Sequence, residues 1–211
     1  MVLIPFRAVF ALVRFDGPFN LPKHQLAQSA HRSTQCIDLR QRPEIPDGSK
    51  FAGIHDGDIQ SAPGHDQIGS GYPEKHSDAT SLDEDIAHLK EKVDAGARYV
   101  VTQLFFDNAK FFDYRERCRK AGINVPIVPG IKPLAVARHL EILPQIFGTA
   151  IPEALEREVR LHIDNPKAVR EIGSEWCIAQ CRELKAAGVP VLHFYTMSRT
   201  EEIARIAKAV F

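Results

Sequence analysis

The chain has 211 residues, enough for one domain with a sizeable apolar core. Its 27 basic and 27 acidic residues cancel to a formal net charge of zero, so neither nucleic acid nor an anionic membrane surface is expected as a partner. No apolar run reaches the roughly 18–20 residues of a membrane span. The greasy opening, residues 1–13, has no basic start and is interrupted by Arg7, which makes it a poor signal peptide.

Four cysteines, Cys36, Cys118, Cys177 and Cys181, form neither a CxxC pair nor a disulfide framework. A reducing, cytoplasmic setting follows. Cys177 and Cys181, four apart in a helical stretch, read as packing residues, and no metal site is expected.

Residues 1–70 differ in character from the rest. Turn formers and histidines crowd 40–66, including RQRPEIPDGS, HDGD and PGHD, and neither a helix-length apolar period nor paired strand runs emerge. HDGD has ligand-like side chains, but without a second cluster at a defined spacing it reads as a polar loop. The chain therefore divides into an irregular segment, 1–70, and a patterned unit, 71–211.

The patterned unit opens with a loop, a helix, a glycine stop and a strand. Ser81 followed by Glu84 is a capping box, and Leu82, Ile86, Leu89 and Val93 make one apolar helix face. Gly96 closes the helix, and residues 99–106 (YVVTQLFF) read as a buried strand. Asp85, His88 and Lys92 stack on one side of the helix. Either they form a solvated face with a weak ion pair, or they hold a ligand. Gln103 is an amide in an apolar strand, so it needs a partner, either structural or bound.

Asp107 or Asn108 caps the next helix, through Lys120, with Phe111, Phe112, Arg115, Cys118 and Arg119 on a mixed inner face and Gly122 as the stop. A strand at 125–128 follows, ended by a tight turn at Pro129 and Gly130. Then come a helix at about 134–143, a connection at 148–152 and a short helix from Pro152 to about His162. Asn165 caps a long helix that ends at Gly188, with Val169, Ile172, Trp176, Ala179 and Leu184 along one side. Residues 189–196 form the last strand. Ser198 or Thr200 caps a final helix whose Ile203, Ile206, Ala207 and Val210 face inward. This alternation means parallel βα units, an α/β fold.

Five blocks, YPEKH (72–76), KVDAGA (92–97), TQLFFD (102–107), VPIVPGIKPL (125–134) and HFYTMSR (193–199), resemble the flavin-dependent methylenetetrahydrofolate reductases of the bacterial type. They stand in the family's order and at about its spacing, across 71–211. The resemblance implies a parallel (β/α) barrel of the eight-stranded type, of which this chain supplies the last three to four βα units. A whole barrel typically takes about 250 residues.

It also implies a chemistry in one-carbon metabolism and methionine supply. NADH or NADPH reduces FAD, and the flavin reduces 5,10-methylenetetrahydrofolate, the folate substrate, to 5-methyltetrahydrofolate. By motif position, Tyr72, His76 and Ala79 lie in the flavin-contacting loop. Asp85, His88 and Lys92 fall on the face that holds the ribityl and phosphate portions. Asn often stands where this chain has His88, and Arg in some relatives where it has Glu91. Gln103 matches a residue contacting folate pterin and nicotinamide, and Arg199 one that binds folate. His193 and Tyr195 are left as barrel packing.

The family's acid-catalyst Glu on an early strand, and its Arg-Gly-Asp strand end, have no counterpart upstream of Gly71. No catalytic residue is identified, and the first 70 residues read as replaced, truncated or out of the ancestral frame. The alternative to an active reductase is a non-catalytic remnant or a half-barrel that needs a second chain, for instance in a homo-oligomer. Another phosphate-binding barrel enzyme would carry a Gly-rich loop after the last strand. Residues 196–200 read TMSRT instead, and that option is set aside.

Overall fold

The structure, a computed structural model, describes residues 10–14, 68–196 and 200–211. Five strands form one sheet in the order β1-β5-β4-β3-β2. These are β1 (Phe10–Arg14), β2 (Ile68–Gly71), β3 (Tyr99–Leu104), β4 (Ile127–Ile131) and β5 (Val191–Tyr195). Strands β2 to β5 are mutually parallel. Between and after them run α1 (Leu82–Asp94), α2 (Asn108–Lys120), α3 (His139–Phe147), α4 (Glu153–Leu161), α5 (Pro166–Ala186) and α6 (Thr200–Val210). This is the expected α/β architecture, an incomplete arc of parallel βα units.

The starts and stops of α1 and α2 follow local chemistry. Ser81 Oγ accepts from the Glu84 amide at 3.1 Å, while the Glu84 carboxylate accepts from the Thr80 amide and hydroxyl at 2.6 Å. Asp107, not Asn108, caps α2 by accepting from the Ala109 amide. Three apolar clusters hold the layers together: α1 and α2 on Val100, α5 and α6 on Ile131, Leu192 and Phe194, and α3, α4 and α5 on Leu104.

Several expectations are corrected. No paired strand is expected within 1–70, yet β1 pairs antiparallel with β5, from Phe10 opposite Tyr195 to Arg14 opposite Val191. A five-residue run inside an apolar stretch has no periodicity of its own, and its pairing depends on an edge far along the chain. Pro129 and Gly130 lie inside β4 rather than turning the chain after it. The Gly130 amide donates to Thr102 Oγ1 on the neighbouring strand at 2.9 Å.

The helix expected at about 134–143 is α3, starting at His139. Residues 132–135 are buried and cross the strand ends as non-helical chain, with the Ala135 amide donating to His139 Nδ1 at 3.2 Å. On α2, Arg115 and Arg119 are exposed and the buried positions are Asn108, Phe111, Tyr114 and Cys118. The Arg115 guanidinium lies over the Phe111 and Phe112 rings, keeping its charge in water and its stem on apolar surface.

Along α5, Val169 and Leu184 are buried, Ile172 and Trp176 half-buried, and Ala179 exposed. Gly173, Ser174, Cys177, Ile178, Gln180 and Cys181 complete a wider buried face, because this helix contacts α4 on one side and α6 on another.

Candidate active site at the strand ends

Gly71 ends β2 directly above the Tyr114 hydroxyl. A Cβ there would lie 2.5 Å from that oxygen and 2.8 Å from the Val100 side chain, so only glycine fits. Tyr114 is buried, which raises its pKa, and a hydrogen bond links its hydroxyl to the Tyr72 backbone. The chain then turns sharply: the Lys75 amide donates to the Tyr72 carbonyl at 3.0 Å, and Lys75 takes a φ of 78°. Lys75 Nζ bonds the carbonyls of His76 at 3.0 Å and Ala79 at 2.5 Å, which folds the loop on itself.

The loop is also tied to α1. The His76 amide donates to Asp85 Oδ2 at 3.2 Å, and His76 Nδ1 accepts from the Asp78 amide. The Tyr72 and His76 rings meet edge to face, 4.6 Å between centroids. Tyr72, His76, Ala79 and Asp85 are thus brought together. Burial raises the Asp85 carboxyl pKa, opposed by the His76 amide bond and by the charges of His76, Lys92 and His88. His88 is exposed and Lys92 half-buried. On this helix Lys90 pairs with Asp94, and among the described residues Lys92 acts on the Asp85 carboxyl through its charge rather than through a salt bridge.

Gln103 lies at the same level on the neighbouring strand. Gly71 stands opposite Thr102, so Tyr72 and Gln103 each follow the same rung of the β2–β3 ladder. The β3–β4 register shifts between Val101 and Leu104, a bulge of the kind that re-aims side chains beside sites. Half-buried Gln103 uses Oε1 to accept from the Leu104 amide at 3.0 Å, and its Nε2 has no partner among the described residues. The structural account of this amide therefore holds for its Oε1 end.

Beside it lies a buried interior. His193 is 4% exposed and its pKa falls to about 4 because burial disfavours the imidazolium. Its ring packs edge to face on Tyr195 at 4.8 Å, and the Tyr195 hydroxyl donates to the Thr102 carbonyl at 2.9 Å. The remaining expected ligand residue, Arg199, lies outside the described residues, as do Cys36 and the HDGD stretch. Among the described residues no cluster of three metal-ligating side chains occurs, and no helix is long and apolar enough to cross a membrane.

Sequence reasoning missed Glu74, whose carboxylate reaches residues 149 and 150. A charged residue after Pro73 inside a loop block was the one available signal, and the partner lay far along the chain.

The sequence model of the family described as methylenetetrahydrofolate reductase matches residues 60–210. The chain belongs to that family. It is 39% identical over 137 residues to methylenetetrahydrofolate reductase 1 of Schizosaccharomyces pombe, covering 65% of this chain and 23% of that protein. Against methylenetetrahydrofolate reductase (NADH) 1 of Arabidopsis thaliana it is 38% identical over 138 residues, covering 61% of this chain and 23% of that protein. Against 5,10-methylenetetrahydrofolate reductase of Escherichia coli K12 it is 31% identical over 164 residues, covering 76% and 55%. The chain thus spans about a quarter of these eukaryotic relatives and about half of the bacterial one.

A solved structure, described as an uncharacterized protein from Clostridium thermocellum that binds two copies of 5-methyl-5,6,7,8-tetrahydrofolic acid, aligns with a TM-score of 0.47 at 21% identity. The alignment covers 68% of this chain and 51% of that one, a likeness too slight to establish a shared fold.

Proposed function

We infer that this chain carries the C-terminal part of a methylenetetrahydrofolate reductase site, with FAD as cofactor and NADH or NADPH as hydride donor. The Arabidopsis relative is named for NADH and a Caenorhabditis elegans relative for NADPH. Bound FAD would supply the redox chemistry, taking a hydride from the nicotinamide and passing it to the methylene carbon of 5,10-methylenetetrahydrofolate.

The observation that carries this reading is the bond that ties Asp85 to the folded loop at His76. One Asp85 oxygen is used by the His76 amide, which leaves Oδ1 to accept from hydroxyl groups. Lys92 follows seven residues later, about 10 Å along the helix axis. Its ammonium has no ion-pair partner among the described residues. An acceptor, the exposed imidazole of His88 and a cation in that order suit a polyol followed by a diphosphate. The exposed carboxylate of Glu91 beside them works against the phosphate end. Gln103 Nε2 would donate to folate or nicotinamide, and Arg199 would bind folate. No described residue takes the part of the acid catalyst.

Visible absorption of the purified chain after incubation with FAD tests the reading. A bound-flavin spectrum that weakens in Lys92→Ala and Asp85→Ala supports it. A colourless protein in the presence of excess FAD overturns it.

A second reading is favoured by one observation. The edge of β5, where a closed barrel would place a parallel neighbour, holds antiparallel β1 instead. On that reading 71–211 is a half-barrel domain to whose sheet 1–70 adds β1 and the start of β2, and a second chain or a homo-oligomer completes the site. Reductase activity that rises with protein concentration would support it. We place the protein in the cytoplasm, a setting that suits the unpaired thiols of Cys118, Cys177 and Cys181.

A further inference from the structure

We propose that Glu74 is a positioning residue that fastens the flavin-side loop to the connection between α3 and α4 and so sets the two halves of the site against each other. The inference rests on the reading of 72–80 as the flavin loop. Both oxygens of the Glu74 carboxylate are committed: Oε1 accepts from Thr149 Oγ1 at 2.8 Å and Oε2 from the Ala150 amide at 3.1 Å. Thr149 is 2% exposed, so its hydroxyl would be stranded without this acceptor.

The far side of the clasp is not an idle loop. Thr149 and Ala150 lie between Gly148, the left-handed end of α3, and Pro152, the residue before α4. Ile151 and the α3 residues Leu140, Leu143 and Phe147 pack in the same apolar cluster as Leu104. Leu104 is the residue whose amide holds Gln103 Oε1. A continuous set of contacts therefore runs from the His76 loop through Glu74 and α3 to the strand end carrying Gln103. On its other flank the loop is held by the Asp85 bond to His76, by Thr80 on the Glu84 carboxylate and by Lys75 folding back on the chain. Removing Glu74 leaves it tied on one side.

The test uses the full chain and the variants Glu74→Ala, Glu74→Gln, Thr149→Val and the double variant Glu74→Ala with Thr149→Val. FAD dissociation constants and site-resolved amide hydrogen exchange are measured on each. We expect Glu74→Ala to weaken FAD binding about tenfold or more, the scale set by losing charge-assisted hydrogen bonds. Thr149→Val should weaken it less, Glu74→Gln should recover part of the loss through its remaining acceptor, and the double variant should be no worse than Glu74→Ala. Exchange should accelerate together at Lys75, Ala79 and Ala150 and stay unchanged in α5.

Unchanged FAD affinity, additive effects of the two single changes, or faster exchange across the whole chain would overturn the proposal. If the unaltered chain holds no FAD, the flavin reading fails and exchange alone decides the clasp. Joint loosening at 75, 79 and 150 then supports it, and loosening at 150 alone sinks it.

Discussion

The loop after β2 and the strand interior beside it are built by opposite means. The loop 72–80 is half-exposed and owes its shape to polar bonds: Lys75 to two carbonyls, the His76 amide to Asp85, and Glu74 to Thr149 and Ala150. The interior of β3, β4 and β5 owes its shape to close approach, with the Tyr195 ring over Gly130 and His193 sealed beneath. Polar bonds in partial solvent are each worth only about 1 kcal/mol net, whereas crowding in a packed interior has no cheap relief. Damage to the loop should therefore show in ligand binding, and damage to the interior in the fold.

Gly130→Ala should give the largest effect. The added Cβ would meet the Thr102 carbonyl oxygen at 2.1 Å and the Tyr195 ring at 2.6 Å, and one of those is backbone. We expect a loss of roughly 3 kcal/mol or more in urea unfolding, or failure to fold. A variant of wild-type stability would break the contrast between the two regions.

Acid should act next, and through the interior. His193 has its folded pKa lowered from 6.5 to about 4, so the unfolded chain takes up this proton first as pH falls. Stability from this group is complete above the unfolded value and is lost between about 6.5 and 4, reaching about 3 kcal/mol at the acid end. Unfolding free energies at a series of pH values should show this slope in the wild type and lack it in His193→Gln. Equal slopes in both would mean that other groups cause it.

Gln103→Ala should do least to the fold, costing less than about 1 kcal/mol, because the amide gives up one local bond to Leu104. Its effect belongs in ligand binding: weaker folate or nicotinamide binding with FAD affinity unchanged. A stability loss as large as that of Gly130→Ala would show that Gln103 is a structural residue.

Much of the arc was legible because its signals are local. Ser81 with Glu84, Asp107, and Asn165 with Pro166 announce helix starts within four residues, and YPEKH and TQLFFD stand out through their resemblance to the family's blocks. What escaped depends on partners far along the chain. The late start of α3 follows from burying Leu134 and Ala135 at the strand ends. The pairing of β1 depends on the β5 edge, and Glu74 finds its acceptor's donors at Thr149 and Ala150. Gln103 was singled out as an amide needing partners, but its bulge exists only in register with β4.

That bulge also sets the phase of everything after it. Phe105 and Phe106, two steps beyond, fill different apolar clusters, and their carbonyls accept from Gln180 and Trp176 respectively. Deleting one residue at 102 or 103 would not simply shorten the strand. It would move Phe106 toward the place of Phe105 and Asp107 toward that of Phe106, bringing a carboxylate to an apolar cluster and shifting both carbonyls away from their donors. The extra residue in β3 works as a reading-frame marker for the second half of the unit, and the strand end would tolerate paired insertions and deletions there far better than single ones.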